Sequence, residues 1–142
     1  MRYKFRGKRL DNGEWVYGFY LETQMSGVFI LGSEIETKKR KDGITMRDKL
    51  WQHEVLPESV GQWTGLVDKN GKEIYEGDIV KATALLNDHH QRGATVVSPV
   101  EYWHGATCLS ITYVPLSFDF QVSHEIEIIG NIHDNPELMG VE

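Results

Sequence analysis

Arg2-Tyr3-Lys4-Phe5-Arg6-Gly7-Lys8-Arg9-Leu10-Asp11-Asn12-Gly13-Glu14-Trp15-Val16-Tyr17-Gly18-Phe19-Tyr20-Leu21-Glu22 is the stretch on which the fold turns. Its opening alternates aromatics with cations, the period of two expected of a strand with one buried and one wet face. Asn12-Gly13 suits a type I′ turn, whose two central positions both need positive φ. Residues 3–9 and 14–22 are therefore predicted to pair as a β-hairpin. In the second arm Trp15, Tyr17, Phe19 and Leu21 share one face, with Val16 and Tyr20 on the other. Gly18 between them marks a bulge or close packing.

The same strand signals recur further along. Glycines frame a short apolar strand at residues 27–32, and the run Lys38-Lys39-Arg40-Lys41-Asp42-Gly43 is too charged to bury, so an exposed turn or hairpin tip is expected there. Residues 51–56 resume strand spacing and stop at Pro57, which cannot donate to a ladder. A strand at 60–67 is followed by the turn Asp68-Lys69-Asn70-Gly71 and an extended segment at 72–81. Residues 82–95 show neither alternation nor a helical repeat and read as a surface excursion. Segments 96–103, 108–114, 117–122 and 125–129 are again β-rich. Asp134-Asn135-Pro136 puts a capping residue ahead of a proline, which suits a short C-terminal helical turn. The expected fold is mainly β, with an N-terminal hairpin and strand region over residues 1–56 and a second β region over 57–142. These form two small units or one intertwined domain.

A chain of 142 residues buries enough surface to fold without a disulfide staple. The single cysteine, Cys108, and the lack of any Asn-x-Ser/Thr acceptor point to a reducing cytoplasm. The first ten residues contain no apolar core, and the longest purely apolar stretch is four residues, 28–31. Neither an export signal nor a membrane span is expected. Net charge is -6, against a dedicated nucleic-acid binder. The charge is uneven: residues 1–92 hold fifteen cations and fourteen acids, +1, whereas residues 93–142 hold seven acids and no Lys or Arg, -7. That acidic third reads as a solvated sheet face or as an anionic surface for a basic partner.

Local catalytic chemistry is not encoded. His53, His89, His90, His104, His124 and His133 form no His-x-x-x-His pair, and there is no Cys-x-x-Cys, so no metal site is expected from local spacing. A site assembled from distant strands stays open. Cys108 lies among strand residues and suits a buried structural thiol. No nucleophile elbow, phosphate loop or dinucleotide fingerprint occurs, and no cofactor is expected. Glu73, Glu76 and Asp78 cluster closely, but charged turn residues explain them more simply than paired catalytic carboxylates.

From Val60-Gly61-Gln62-Trp63-Thr64-Gly65-Leu66-Val67 through Asp68-Lys69-Asn70-Gly71-Lys72-Glu73-Ile74-Tyr75 to Glu76-Gly77-Asp78-Ile79-Val80, the sequence closely resembles the signature of the YopX family of phage and prophage proteins. The opening Lys4-Phe5-Arg6-Gly7 is similar to the family's Lys-Phe-Arg-Ala start. The closing Glu125-Ile126-Glu127-Ile128-Ile129-Gly130-Asn131-Ile132-His133-Asp134-Asn135-Pro136-Glu137-Leu138 matches its end. The resemblance implies a phage-encoded, largely β protein with an SH3-like barrel portion in residues 57–142, self-associating, without an established activity. The departures fall at residues 38–41 and 82–95, where a partner specific to this chain would be read.

These features lead to a non-enzymatic binding or assembly module in the bacterial host cytoplasm, whose strand edges and aromatic faces need covering. Its partner is another copy of itself, through the cationic first hairpin and the acidic last third, or a host or phage protein. The alternative is a nucleic-acid-associated protein using Arg2, Lys4, Arg6, Lys8 and Arg9 as contacts.

Overall fold

The computed structural model describes residues 4–86, 91–103, 106–109, 114–116 and 124–139. Tyr3, Arg2, residues 89–90, His104 and the expected strand at 117–122 lie outside them. The chain divides into two units, Met1–Val60 and Gly61–Glu142, and the mainly β reading holds in both.

In the first unit β1 (Phe5–Lys8), β2 (Trp15–Thr23), β3 (Gly27–Arg40) and β4 (Gly43–Glu54) run in the order β4-β3-β2-β1, each antiparallel to the next. The first hairpin forms, with Phe5 opposite Gly18 and Lys8 opposite Trp15. Its connection is longer than the two-residue turn expected. Arg9 N donates to Glu14 O at 2.9 Å and Gly13 N to Arg9 O at 3.0 Å. Asn12 Oδ1 accepts from Glu14 N, and Arg9 is drawn onto Asp11, so side-chain bonding inside the loop favours the wider form.

Alternation sends Val28 and Ile30 of β3 inward, where they join Val55 in a core flanked by Phe5, Val16, Trp51 and Val60. After β4 a single 3-10 turn, Pro57–Ser59, returns the chain to β1. Buried Ser59 ties it there: its Oγ accepts from Lys8 N at 2.8 Å and donates to Leu56 O at 2.6 Å. Gly18 is a close approach rather than a bulge, because a Cβ there would collide with the backbone oxygen of Leu31. Gly18→Ala is therefore expected to lower stability by about 2 kcal/mol or more, since only backbone movement relieves the clash. Urea unfolding checks this, and a midpoint unchanged from wild type would contradict it.

β3 and β4 are far longer than the two short strands read from the sequence. Their pairing continues past the body of the sheet, from Gly32 opposite Trp51 to Arg40 opposite Gly43, as a two-stranded arm tipped by Lys41 and Asp42. The charged run at 38–41 is exposed at that tip.

The second unit contains the hairpin of β5 (Gly61–Val67) and β6 (Glu73–Tyr75). It also contains a five-stranded sheet, in the order β10-β9-β8-β7-β11, of β7 (Asp78–Leu86), β8 (Gln91–Trp103), β9 (Ala106–Leu109), β10 (Val114–Pro115) and β11 (His124–Asn131). Ile74, Val80, Ala82, Val100, Leu109, Leu116 and Ile126 form its core. The barrel that the resemblance implied is not closed among the described residues. β10 is two residues long and ends in Pro115, which has no N–H to offer a further strand. Residues 82–95 are also strand where described, not an excursion: Ala82 pairs with Val96 and Thr83 with Thr95, whose hydroxyls meet at 3.0 Å. Small Ala and Thr side chains fill a buried strand here without producing a hydrophobic alternation.

The closing motif is a structural device. β11 bulges between Ile128 and Gly130. A Cβ on Gly130 would press on Asn135 Oδ1 at 2.6 Å, so glycine lets the 3-10 turn Pro136–Met139 fold back against the strand. Asn131 Oδ1 accepts from the backbone of both His133 and Asp134.

Candidate interaction surface

Register decides which side chains share a face. Leu31 lies opposite Phe19 and Phe29 opposite Leu21, so the odd residues of β2 and β3 point to the same side. Beyond the body of the sheet that side continues onto the arm. Its rows there are Ser33 with Leu50, Ile35 with Asp48, Thr37 with Met46 and Lys39 with Ile44. Every large apolar residue of the arm between Trp51 and the tip is on this one face. Leu50 is 81% exposed, and Ile35, Ile44 and Met46 are 63–65% exposed. Tyr17, Phe19 and Leu21 continue the surface on β2, all exposed.

The opposite face of the arm is of different chemistry. Arg47 Nε meets Glu36 Oε2 at 2.5 Å and Lys49 Nζ lies 3.4 Å from Glu34 Oε1, both directly across the strands. Such exposed pairs add little stability, but they keep that face polar. The arm is thus amphipathic, and its apolar face is the exposed continuation of the sheet's outer side. Sequence reading missed Ile35, Ile44, Met46 and Leu50 as functional residues. The signal was the alternation Ile44-x-Met46-x-Asp48-x-Leu50, masked by the charges between.

The N-terminal cations behave differently from one another. The Arg6 guanidinium is buried and stands 4.6 Å from the centre of the Trp15 ring, with Lys8 Nζ 5.8 Å from it. Arg9 forks onto Asp11, and that hydrogen bond, opposed by desolvation, holds the Asp11 carboxyl below its ordinary range. Lys4 stands just ahead of β1, and Arg2 lies outside the described residues. The structure gathers Arg6 and Lys8 around Trp15 and turns Arg9 away to the loop.

The groups considered for chemistry are in structural roles. Cys108 is buried, and desolvation first, then the nearby Glu101 charge, pushes its thiol up, away from the reactive thiolate. Asp68 is buried; its Oδ1 accepts from Asn70 N and Lys72 N and its Oδ2 from Ile128 N. Asp78 Oδ2 accepts from Tyr75 N at 2.8 Å. A cleft of about 240 Å³ bordered by Lys69, His124 and Glu125 is smaller than usual for a small-molecule site. Among the described residues no three His, Cys, Asp or Glu side chains converge as metal ligands, and no helix is long and apolar enough to cross a membrane.

Glu76 does carry a pH signal. Burial raises its carboxyl above the ordinary value of 4.5, opposed by a hydrogen bond from Gln62 N. The folded chain holds this proton more tightly than the unfolded one, so the contribution favours folding below about pH 4.5 and fades as pH rises through the raised value. Glu76→Gln keeps an acceptor and removes the burden. Its Tm should exceed wild type by about 1–3 °C at neutral pH and match it in acid. Thermal melts at both pH values test this, and an equal offset in acid would contradict it.

Comparison with known proteins adds a lineage. The family described as YopX protein matches residues 4–140. The crystal structure of protein EF1440 from Enterococcus faecalis superposes with a TM-score of 0.58 at 25% identity, over 96% of this chain and 97% of that one. No curated protein matches. With nearly its whole length matched by one family and a similar solved structure of almost equal extent, the chain belongs to the YopX protein family.

Proposed function

We propose that the chain is a phage- or prophage-encoded assembly protein of the bacterial cytoplasm, acting by binding rather than catalysis through the outer face of its N-terminal sheet. One observation carries this reading. Seven large apolar side chains on that face, from Tyr17 to Leu50, are 43–81% exposed. A two-stranded arm is marginal in water by itself, and contiguous apolar patches of this kind mark contact surfaces. Covering them contributes roughly 25 cal/mol per Å² before the cost of association. Light scattering after size exclusion tests the reading. A mass above 16.3 kDa that falls on dilution is expected, and 16.3 kDa at every concentration would overturn it.

A nucleic-acid reading has one observation in its favour, the four exposed cations at residues 38–41 on the arm's tip. β-ribbons do enter nucleic-acid grooves. Against it stands the apolar face beside the tip, which a phosphate backbone cannot cover. Binding to a labelled DNA duplex should be undetectable. Micromolar binding that weakens steeply with salt would promote this alternative.

A further inference from the structure

We infer that the partner of the arm's apolar face is a second copy of the same face, the two arms stacked antiparallel about a two-fold axis at the Thr37–Met46 row. This rests on the assembly reading above and names its partner. Two independent features give the same register.

The first is extent. Beyond Trp51 the arm has four paired rows on this face, from Ser33–Leu50 to Lys39–Ile44, followed by the tip at Lys41 and Asp42. Counting the tip as a fifth level, the middle of the arm is the Thr37–Met46 row. Two arms that overlap along their whole length must be centred there, with each tip reaching the Leu50 row of the other. Rows on one face are roughly 6.8 Å apart, so the arm is about 30 Å long and about 10 Å wide. Stacking two such faces buries on the order of 1,000 Å² in total, the lower limit for a specific interface. That size fits a dimer that assembles at micromolar concentration.

The second feature is charge. Among its paired rows the apolar face carries one cation and one anion, Lys39 and Asp48, both exposed and each one row from the centre on opposite sides. Two rows apart, they do not face each other within one arm. Antiparallel stacking about the central row brings Lys39 of each copy to the row that holds Asp48 of the other. The Lys39 stem then lies along apolar side chains while its ammonium reaches the carboxylate. A self-complementary patch of this kind is what a two-fold contact between identical chains requires. A nucleic acid would leave the four apolar side chains uncovered and meet Asp48 with like charge. The cations of the first hairpin supply no equivalent surface, since Arg6 is buried and Arg9 is held by Asp11.

Charge exchange tests the register. K39E and D48K each place like charges at both symmetric contacts, and each should raise the dissociation constant at least tenfold by light scattering or sedimentation. An equimolar mixture of the two variants restores both opposite-charge contacts in a heterodimer, and the double variant K39E/D48K restores them in a homodimer. Both should assemble as wild type does. Both positions are exposed, and circular dichroism and thermal melts on each variant confirm an intact fold. If the single variants keep the wild-type mass, or if neither mixture nor double variant recovers it, the register is wrong while the assembly reading survives. If wild type is itself monomeric throughout, the assembly reading fails first.

Discussion

Asp68→Ala is expected to cost about 3 kcal/mol of stability and about 10 °C in Tm, because three backbone donors lose their acceptor at once. Asp68 sits at the start of the Asp68-Lys69-Asn70-Gly71 turn. Its two oxygens bond Asn70 N and Lys72 N at 2.9 Å and Ile128 N at 3.1 Å, so one carboxylate closes the β5–β6 turn and fastens it to β11. The side chain is 5% exposed, which leaves water little room to replace it. Asp68→Asn separates the contributions. Its oxygen can serve Asn70 and Lys72, but its amide then faces the Ile128 N–H, donor against donor, and about half the loss should remain. Denaturant titration of both variants decides the matter, and a loss below about 0.5 kcal/mol for alanine would contradict the role.

The second large effect is on assembly rather than folding. Ile35→Asp combined with Met46→Asp should leave the monomer's stability within about 0.5 kcal/mol of wild type, since both positions are well exposed on the arm. Association should nearly vanish. Each apolar side chain contributes about 1.5–3 kcal/mol when fully buried, and a two-fold contact counts each substitution twice. Two new carboxylates per copy would also have to be desolvated against each other. A dissociation constant raised by about a thousandfold or more is the expected reading in sedimentation. An unchanged one would remove the arm from the interface.

How much of this was legible in the sequence depended on the environment of each segment. The first hairpin could be read because Phe5, Val16 and Tyr20 alternate cleanly with residues of the other face. The closing turn could be read because Asn135-Pro136 has few other uses. The arm could not. Glu34, Glu36 and Lys38 alternate with Ile35, Thr37 and Lys39, and a strand whose two faces are both wet in one chain carries no core signal. Charge density at 38–41 reads as a turn, which it is, but it gives no measure of how far the strands run before reaching it. Residues 82–95 failed for the opposite reason, since Ala82 and Thr83 are buried without being strongly apolar. The sheet of the second unit, not closed among the described residues, could not be told from a barrel, because closure depends on which edges pair and not on where strands occur.

Amide hydrogen exchange across residues 33–50, compared at about 1 µM and about 200 µM protein, reads the covered state of the arm directly. A two-stranded arm with one apolar face bare opens readily, so its amides should exchange fast in dilute solution and slow by at least about tenfold when concentrated. Core amides at Ile79 and Val80 serve as the internal reference and should not change with concentration. Equal exchange in the arm at both concentrations would contradict the account, because the apolar face would then meet no second copy.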